Sequence, residues 1–147
     1  MIALLQRVNS AEVYIGQQLY NKINNGLLIL LGIDKEDQLK DIEYLINKII
    51  DLRIFNDANG KMNLSIADIK GEILLVSQFT LLARTNSGRR PSFIKSAKPQ
   101  TAKKLYNIFI DQLNNFNLTI KTGKFGAMMD IKLINSGPAT FILNSQG

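Results

Sequence analysis

A single α/β domain of mixed, largely antiparallel β-sheets, with two main helices packed on one side, is what the hydrophobic pattern of this chain predicts. Three observations carry that expectation. Strand-like segments outnumber helical ones. Two of them, GLLILLGI at 26–33 and EILLVSQFTLLA at 72–83, are apolar on both faces, as buried central strands are. Two further segments switch to helical spacing. With 147 residues the chain is expected to be one domain, 1–147, large enough to bury a core without covalent staples.

Taken in order, IALLQRV, AEVYI and LYNKI read as short strands separated by turn residues, and GLLILLGI as a central strand. Leu39, Ile42, Leu45, Ile46, Ile49 and Ile50 then recur at helical spacing, with Asp34 and Asp37 placed to cap and complement the helix start. NDANG, ending in Gly60, suits a loop or hairpin. EILLVSQFTLLA predicts a second long buried strand, and RTNSGRRPSF an exposed basic loop. A second helix is expected from about Pro99, which suits a first-turn position, with Ala102, Leu105, Tyr106, Phe109, Leu113 and Phe116 on one face. TIKTGKF, MMDIKLIN and ATFILN close the chain as strands. MMDIKLI alternates polar and apolar residues, so one of its faces should meet solvent or an interface.

Composition excludes several chemistries. The chain has no cysteine, hence no disulfide, thiolate nucleophile or Cys-ligated metal. It has no histidine, which removes the Ser-His-Asp hydrolases and the His-ligated zinc enzymes. The acidic residues Asp34, Glu36, Asp37, Asp41 and Glu43 sit where capping and solvation put them, which disfavours a carboxylate pair or a magnesium site. No phosphate-cradling GxxxxGK[ST] or GxGxxG occurs, and neither a metal nor a cofactor is expected. The start lacks the pattern of a secretory signal, and no apolar run approaches the roughly 20 residues of a membrane span. A cytoplasmic protein without a membrane partner is the expectation.

The net charge of +6 is unevenly spread: residues 1–72 carry eight Lys/Arg against ten Asp/Glu, residues 73–147 ten against two. Between Glu72 and Asp111 stand Arg84, Arg89, Arg90, Lys95, Lys98, Lys103 and Lys104 and no acid. Clustered cations of this kind attract a phosphate-bearing partner through counterion release, while a solvated lysine-rich face accounts for them equally well.

Three stretches are candidates for function. In SQFTL, Ser77, Gln78 and Thr80 interrupt an apolar strand; they either satisfy neighbouring backbone or mark a strand end where the N–H groups of Phe79 and Thr80 face a ligand. In NSGPAT, Gly137-Pro138 reads as a turn or an edge break. In GRRPSF, Arg89 and Arg90 suit phosphate and Phe93 offers a stacking face for a base.

Together with MIALLQRV, GLLILLGI and LRIFNDANGKMN, these stretches resemble, in order and spacing over essentially the whole chain, the D-aminoacyl-tRNA deacylase family. The resemblance implies that family's layered α/β/β fold and a hydrolase that cleaves the ester of D-aminoacyl-tRNA, and of glycine mischarged on tRNA, without a cofactor. It implies that Ser77, Gln78, Phe79 and Thr80 form the catalytic wall. It further implies that Gly137 and Pro138 form a Gly-cis-Pro element, held by Arg7, which enters the partner's pocket in a homodimer and excludes L-amino acids. Arg89, Arg90 and Phe93 are the candidate tRNA contacts. Two positions depart from the family pattern: Ala139 stands where valine is usual and Met128 where an acid is usual. The resemblance leaves open whether the Thr80 hydroxyl takes part directly. The rival readings are a non-catalytic tRNA- or RNA-binding module and a deacylase of L-aminoacyl-tRNA.

Overall fold

The computed structural model describes residues 1–146. A 14-residue strand β1 (Ile2–Ile15) organises the fold, antiparallel to β2 (Gln18–Ile23), to β3 (Gly26–Gly32) and to the last strand, β8 (Asp130–Asn144). The chain crosses from β3 through helix α1 (Leu39–Asp51) and a small hairpin, β4 (Phe55–Asn56) with β5 (Met62–Leu64), to β6 (Glu72–Ser77), which lies parallel to β3. A second crossover through α2 (Pro99–Leu113) reaches β7 (Thr119–Thr122), parallel to β6. The six-stranded sheet is therefore mixed, with its antiparallel pairs gathered around β1.

β3 is covered on both faces, as its unbroken apolar sequence requires. Leu27, Ile29 and Leu31 join one core with Ile42, Leu45, Ile46 and Ile49 of α1 and Leu105, Tyr106, Phe109 and Leu113 of α2, so both helices lie on one side of the sheet. Leu28 faces a second core with Val8, Ala11, Val13, Ile23, Leu74 and Val76. Around that second core the sheet curls until β2 reaches β7, where the Asn21 amide donates to the Thr122 carbonyl at 2.6 Å.

Four local expectations change. IALLQRV and AEVYI are one strand, because β1 carries its irregularities as register shifts against β8 near Arg7–Asn9 rather than as a turn. MMDIKLIN and ATFILN likewise belong to one strand, β8, which runs through the Gly-Pro pair; it is an outer strand, where a residue lacking N–H is tolerated. α1 starts one residue after Gln38, whose N–H is capped by Asp41 Oδ2 at 2.8 Å. Asp34 and Asp37 stay in the preceding turn, and Asp37 pairs instead with the amino group of Met1. Lastly, the strand expected over 72–83 ends at Ser77, and Phe79–Leu82 forms a short 3-10 helix.

Candidate functional site

The end of β6 and the 3-10 helix build one wall of a cleft. Ser77 is the last residue paired to β3, opposite Leu31, and the Gln78 N–H donates to the Leu31 carbonyl at 2.8 Å. The chain then turns, with the Leu81 N–H on the Gln78 carbonyl at 3.2 Å and the Ala83 N–H on that of Thr80 at 3.1 Å. Gly32 permits this: a Cβ there would stand 3.1 Å from the Gln78 carbonyl oxygen and from Leu81 Cβ, tighter than side chains normally pack. The N–H groups of Phe79 and Thr80, at the start of the 3-10 helix, have no acceptor among the described residues. The alternation expected of a strand over Ser77–Thr80 is thereby lost, whereas the two free N–H groups expected at a strand end are present.

The cleft encloses about 470 Å³ between Ser77, Gln78, Phe79 and Phe93 on one side and Lys98, Pro99, Phe125 and Gly126 on another, over a floor of Leu31 and Ile33. Phe79 and Phe93 meet edge to face with ring centroids 5.0 Å apart. Ser96 Oγ donates to the Phe79 carbonyl at 3.4 Å. Tyr106, behind the cleft, donates to the Leu75 carbonyl at 2.9 Å, and burial pushes its phenol up so that it stays a neutral donor. Among the described residues, Lys98 is the only charged side chain of the lining. The Thr80 hydroxyl accepts from the Gln78 side-chain amide, and among the described residues no carboxylate lines the cleft to serve it as base.

A second constellation lies apart. Arg7 on β1 is buried, 6% exposed, yet no carboxylate pairs with it among the described residues. Four of its N–H bonds go to neutral oxygens instead. Nη1 donates to the Ile54 carbonyl at 2.7 Å and to Asn56 Oδ1 at 3.1 Å, Nε to the Ser136 carbonyl at 3.0 Å, and Nη2 to the Gly137 carbonyl at 3.3 Å. The guanidinium thus clamps the Gly-Pro segment of β8 to the segment entering the β4–β5 hairpin. The Gly137–Pro138 bond is cis. Gly137 and Pro138 are exposed while Ala139 beneath them is fully buried. Met128, the other departure from the family pattern, is 90% exposed.

Of the residues expected at the site, Ser77, Gln78, Phe79 and Phe93 line one cleft, with Thr80 hydrogen-bonded at its edge. Arg7, Gly137 and Pro138 come together elsewhere and do not line that cleft. Arg89 and Arg90 lie on an exposed loop beyond it. Sequence pattern singles out neither Asn56 nor Phe125, and marks Lys98 only as one of seven clustered cations. Asn56 lies inside LRIFNDANGKMN, a stretch that carries the family resemblance without marking what this residue does.

A cleft lined by the Ser77 and Ser96 hydroxyls, the Gln78 amide and two aromatic rings of the same wall, with free backbone N–H groups at its edge and no histidine or carboxylate among its described lining, can position an already reactive substrate. The family model described as D-Tyr-tRNA(Tyr) deacylase matches residues 4–144. Over 99% of its length the chain is 53% identical to the D-aminoacyl-tRNA deacylase of Thermosipho africanus, covering 98% of that protein. It is 47% identical to that of Bacillus pumilus, covering 99% of each. Among solved structures, the c-Myc DNA unwinding element binding protein superposes with a TM-score of 0.93 at 40% identity, over 98% of both chains. A probable eukaryotic D-amino acid tRNA deacylase shares the fold at 15% identity, with a TM-score of 0.81 over 97% of both. The chain belongs to the D-Tyr-tRNA(Tyr) deacylase family.

Proposed function

We propose that the protein hydrolyses the ester joining a D-amino acid, or glycine, to the 3′ end of tRNA. The observation that carries this reading is the pair of free N–H groups at Phe79 and Thr80, at the edge of a cleft that offers no side-chain base. An aminoacyl ester is already activated. Water attacks its carbonyl carbon, the carbonyl oxygen takes up negative charge, and the 3′ oxygen leaves with a proton as the ribose hydroxyl. The two backbone N–H groups stabilise that oxyanion, and the neighbouring 2′-hydroxyl of the substrate assists the water. Such a site needs orientation more than basicity, in keeping with a threonine whose hydroxyl is already engaged by Gln78.

Chiral selection belongs to the Gly-Pro segment. In this reading the segment, exposed and outside the lining of its own cleft, enters the cleft of a second copy, where its main-chain atoms close the side on which an L side chain would lie. Supporting a homodimer, β8 is an outer strand that carries exposed Ile134 and Ile142, 59% and 70% accessible. Arg7 keeps the segment in shape from below.

The test is hydrolysis of D-tyrosyl-tRNA and L-tyrosyl-tRNA side by side. Loss of the D-ester with the L-ester spared is expected. Preference for the L-ester would overturn the chiral assignment, and tRNA binding without cleavage of either would make the chain an RNA-binding module.

A further inference from the structure

A second concavity, of about 210 Å³, lies behind the wall of the cleft, and its lining includes Leu81, Leu82, Arg84, Lys95, Asp34 and Asn144. The two hollows share that wall. Phe79 faces the cleft and Leu81 and Leu82, further along the same 3-10 helix, face the second hollow; Ser96 lines one and the adjacent Lys95 the other. Neither Arg84 nor Lys95 has a carboxylate within ion-pairing distance among the described residues. Among the described residues the lining sets one acid, Asp34, against these two cations, and Asp34 Oδ1 accepts the Glu36 N–H at 3.1 Å.

Both cations also stand on braced backbone. Arg84 and Ser92 exchange main-chain hydrogen bonds of 2.8 and 3.0 Å, the Lys95 carbonyl accepts from the Lys35 N–H at 2.9 Å, and Asp34 and Ser96 form a bridge. Arg89 and Arg90, the cations expected from sequence to meet RNA, lie on the exposed loop between these braces.

We infer that this hollow is a phosphate site for the tRNA, holding with Arg84 and Lys95 a backbone phosphodiester of the acceptor strand just upstream of the terminal adenosine whose ester occupies the cleft. The inference rests on the proposed deacylase reading. A single strand carries one charge per nucleotide, and one that leaves the cleft over the 3-10 helix enters a concavity whose two cations have no carboxylate partner among the described residues. An Arg–Lys pair suits a phosphodiester: the planar guanidinium donates two parallel bonds and the ammonium adds a point charge.

The test compares the protein with its Arg84→Gln and Lys95→Gln variants on two substrates, D-tyrosyl-tRNA and 3′-O-D-tyrosyl-adenosine, which has the ester and no phosphate. On tRNA, each variant should raise KM roughly tenfold with kcat retained and lower the salt slope of tRNA binding by about 1. On the phosphate-free fragment, kcat/KM should stay within about twofold, a result that damage to the cleft would not produce. Unchanged tRNA kinetics and salt slope, or equal losses on both substrates, would overturn the phosphate site. If the unaltered protein cleaves neither ester, the deacylase reading fails by itself, and the salt slope for uncharged tRNA still decides the role of Arg84 and Lys95.

Discussion

At the scale of single residues, the side chains of the proposed site hold rather than react. The Thr80 hydroxyl is engaged by the Gln78 amide and has no base beside it. Thr80→Ala should therefore keep turnover of D-tyrosyl-tRNA within about threefold, since the N–H at that position survives. A loss of a hundredfold or more in single-turnover rate would make the hydroxyl a reactant. Arg7 holds by geometry. A buried guanidinium without a carboxylate is costly unless its donors are met, and here carbonyls and one side-chain amide meet them. Asn56 supplies that amide oxygen. Asn56→Leu should cost about 1–2 kcal/mol in urea unfolding, because one buried donor loses its acceptor. It should also narrow the gap between D- and L-ester hydrolysis, whereas Asn56→Asp, which keeps an oxygen, should restore it. A selectivity unchanged in Asn56→Leu would detach that residue from the chiral filter.

At the scale of elements, the decisive feature is where β6 stops. Continuous apolar sequence from Glu72 to Ala83 argues for an unbroken strand, yet the ladder with β3 ends at Ser77 and the 3-10 helix folds over Gly32. That turn releases the two N–H groups from the sheet, so the same backbone that closes the core leaves free the two donors proposed for the oxyanion. Gly32→Ala tests the link. Its Cβ would crowd the Gln78 carbonyl and Leu81 at 3.1 Å, displacing the 3-10 helix by a few tenths of an ångström. We expect hydrolysis to fall tenfold or more while the unfolding free energy drops by only about 1–2 kcal/mol. Full activity in a folded Gly32→Ala protein would show that the donors need no such placement. β8 repeats the theme: a strand that pairs with β1 on both sides of its Gly-Pro segment presents that segment rigidly while leaving it exposed.

At the scale of the whole molecule, charge and hydrogen bonding set the response to acid. Hydrogen bonds hold Glu12 low, led by that from Tyr14, and hold Asp57 and Asp68 low, led by those from the Lys61 and Ser65 backbone. Asp41 is also low: burial pulls against the shift, but the Ser145 hydroxyl and the Gln38 N–H outweigh it. Asp37 alone moves the other way, because burial outweighs the Met1 amino group beside it. For the lowered carboxylates the unfolded chain binds protons first, so their contribution is present above the ordinary carboxylate range and lost as pH falls through it, near about 4, and below. Asp37 has the opposite sign and offsets part of that loss. The urea midpoint should hold between about pH 7 and 5 and fall steeply below about 4. A midpoint that rises on acidification would mean that Asp37 dominates the linkage.

Much of this molecule is determined by local pattern. Periodicity in 39–50 and from Pro99 to Phe116 places the two helices, though the second ends at Leu113 and leaves Phe116 beyond it; the apolar run of 26–33 places the central strand, and NDANG a loop or hairpin, because each depends on neighbours a few residues away. The order and spacing of SQFTL, GRRPSF and NSGPAT likewise carry the family resemblance with no knowledge of the fold. Tertiary structure decided the rest. That Ser77 ends a strand depends on Gly32, 45 positions earlier in the chain. That Arg7 reaches both Asn56 and Ser136 depends on β1 lying beside β8 and beneath the hairpin. That Lys95 and Arg84 share a hollow depends on the loop before α2 folding back, where Ser92 pairs with Arg84 and Ser96 bonds the Phe79 carbonyl. Each of these joins residues distant in sequence, and periodicity reports which face a residue shows but not which distant residue meets it there.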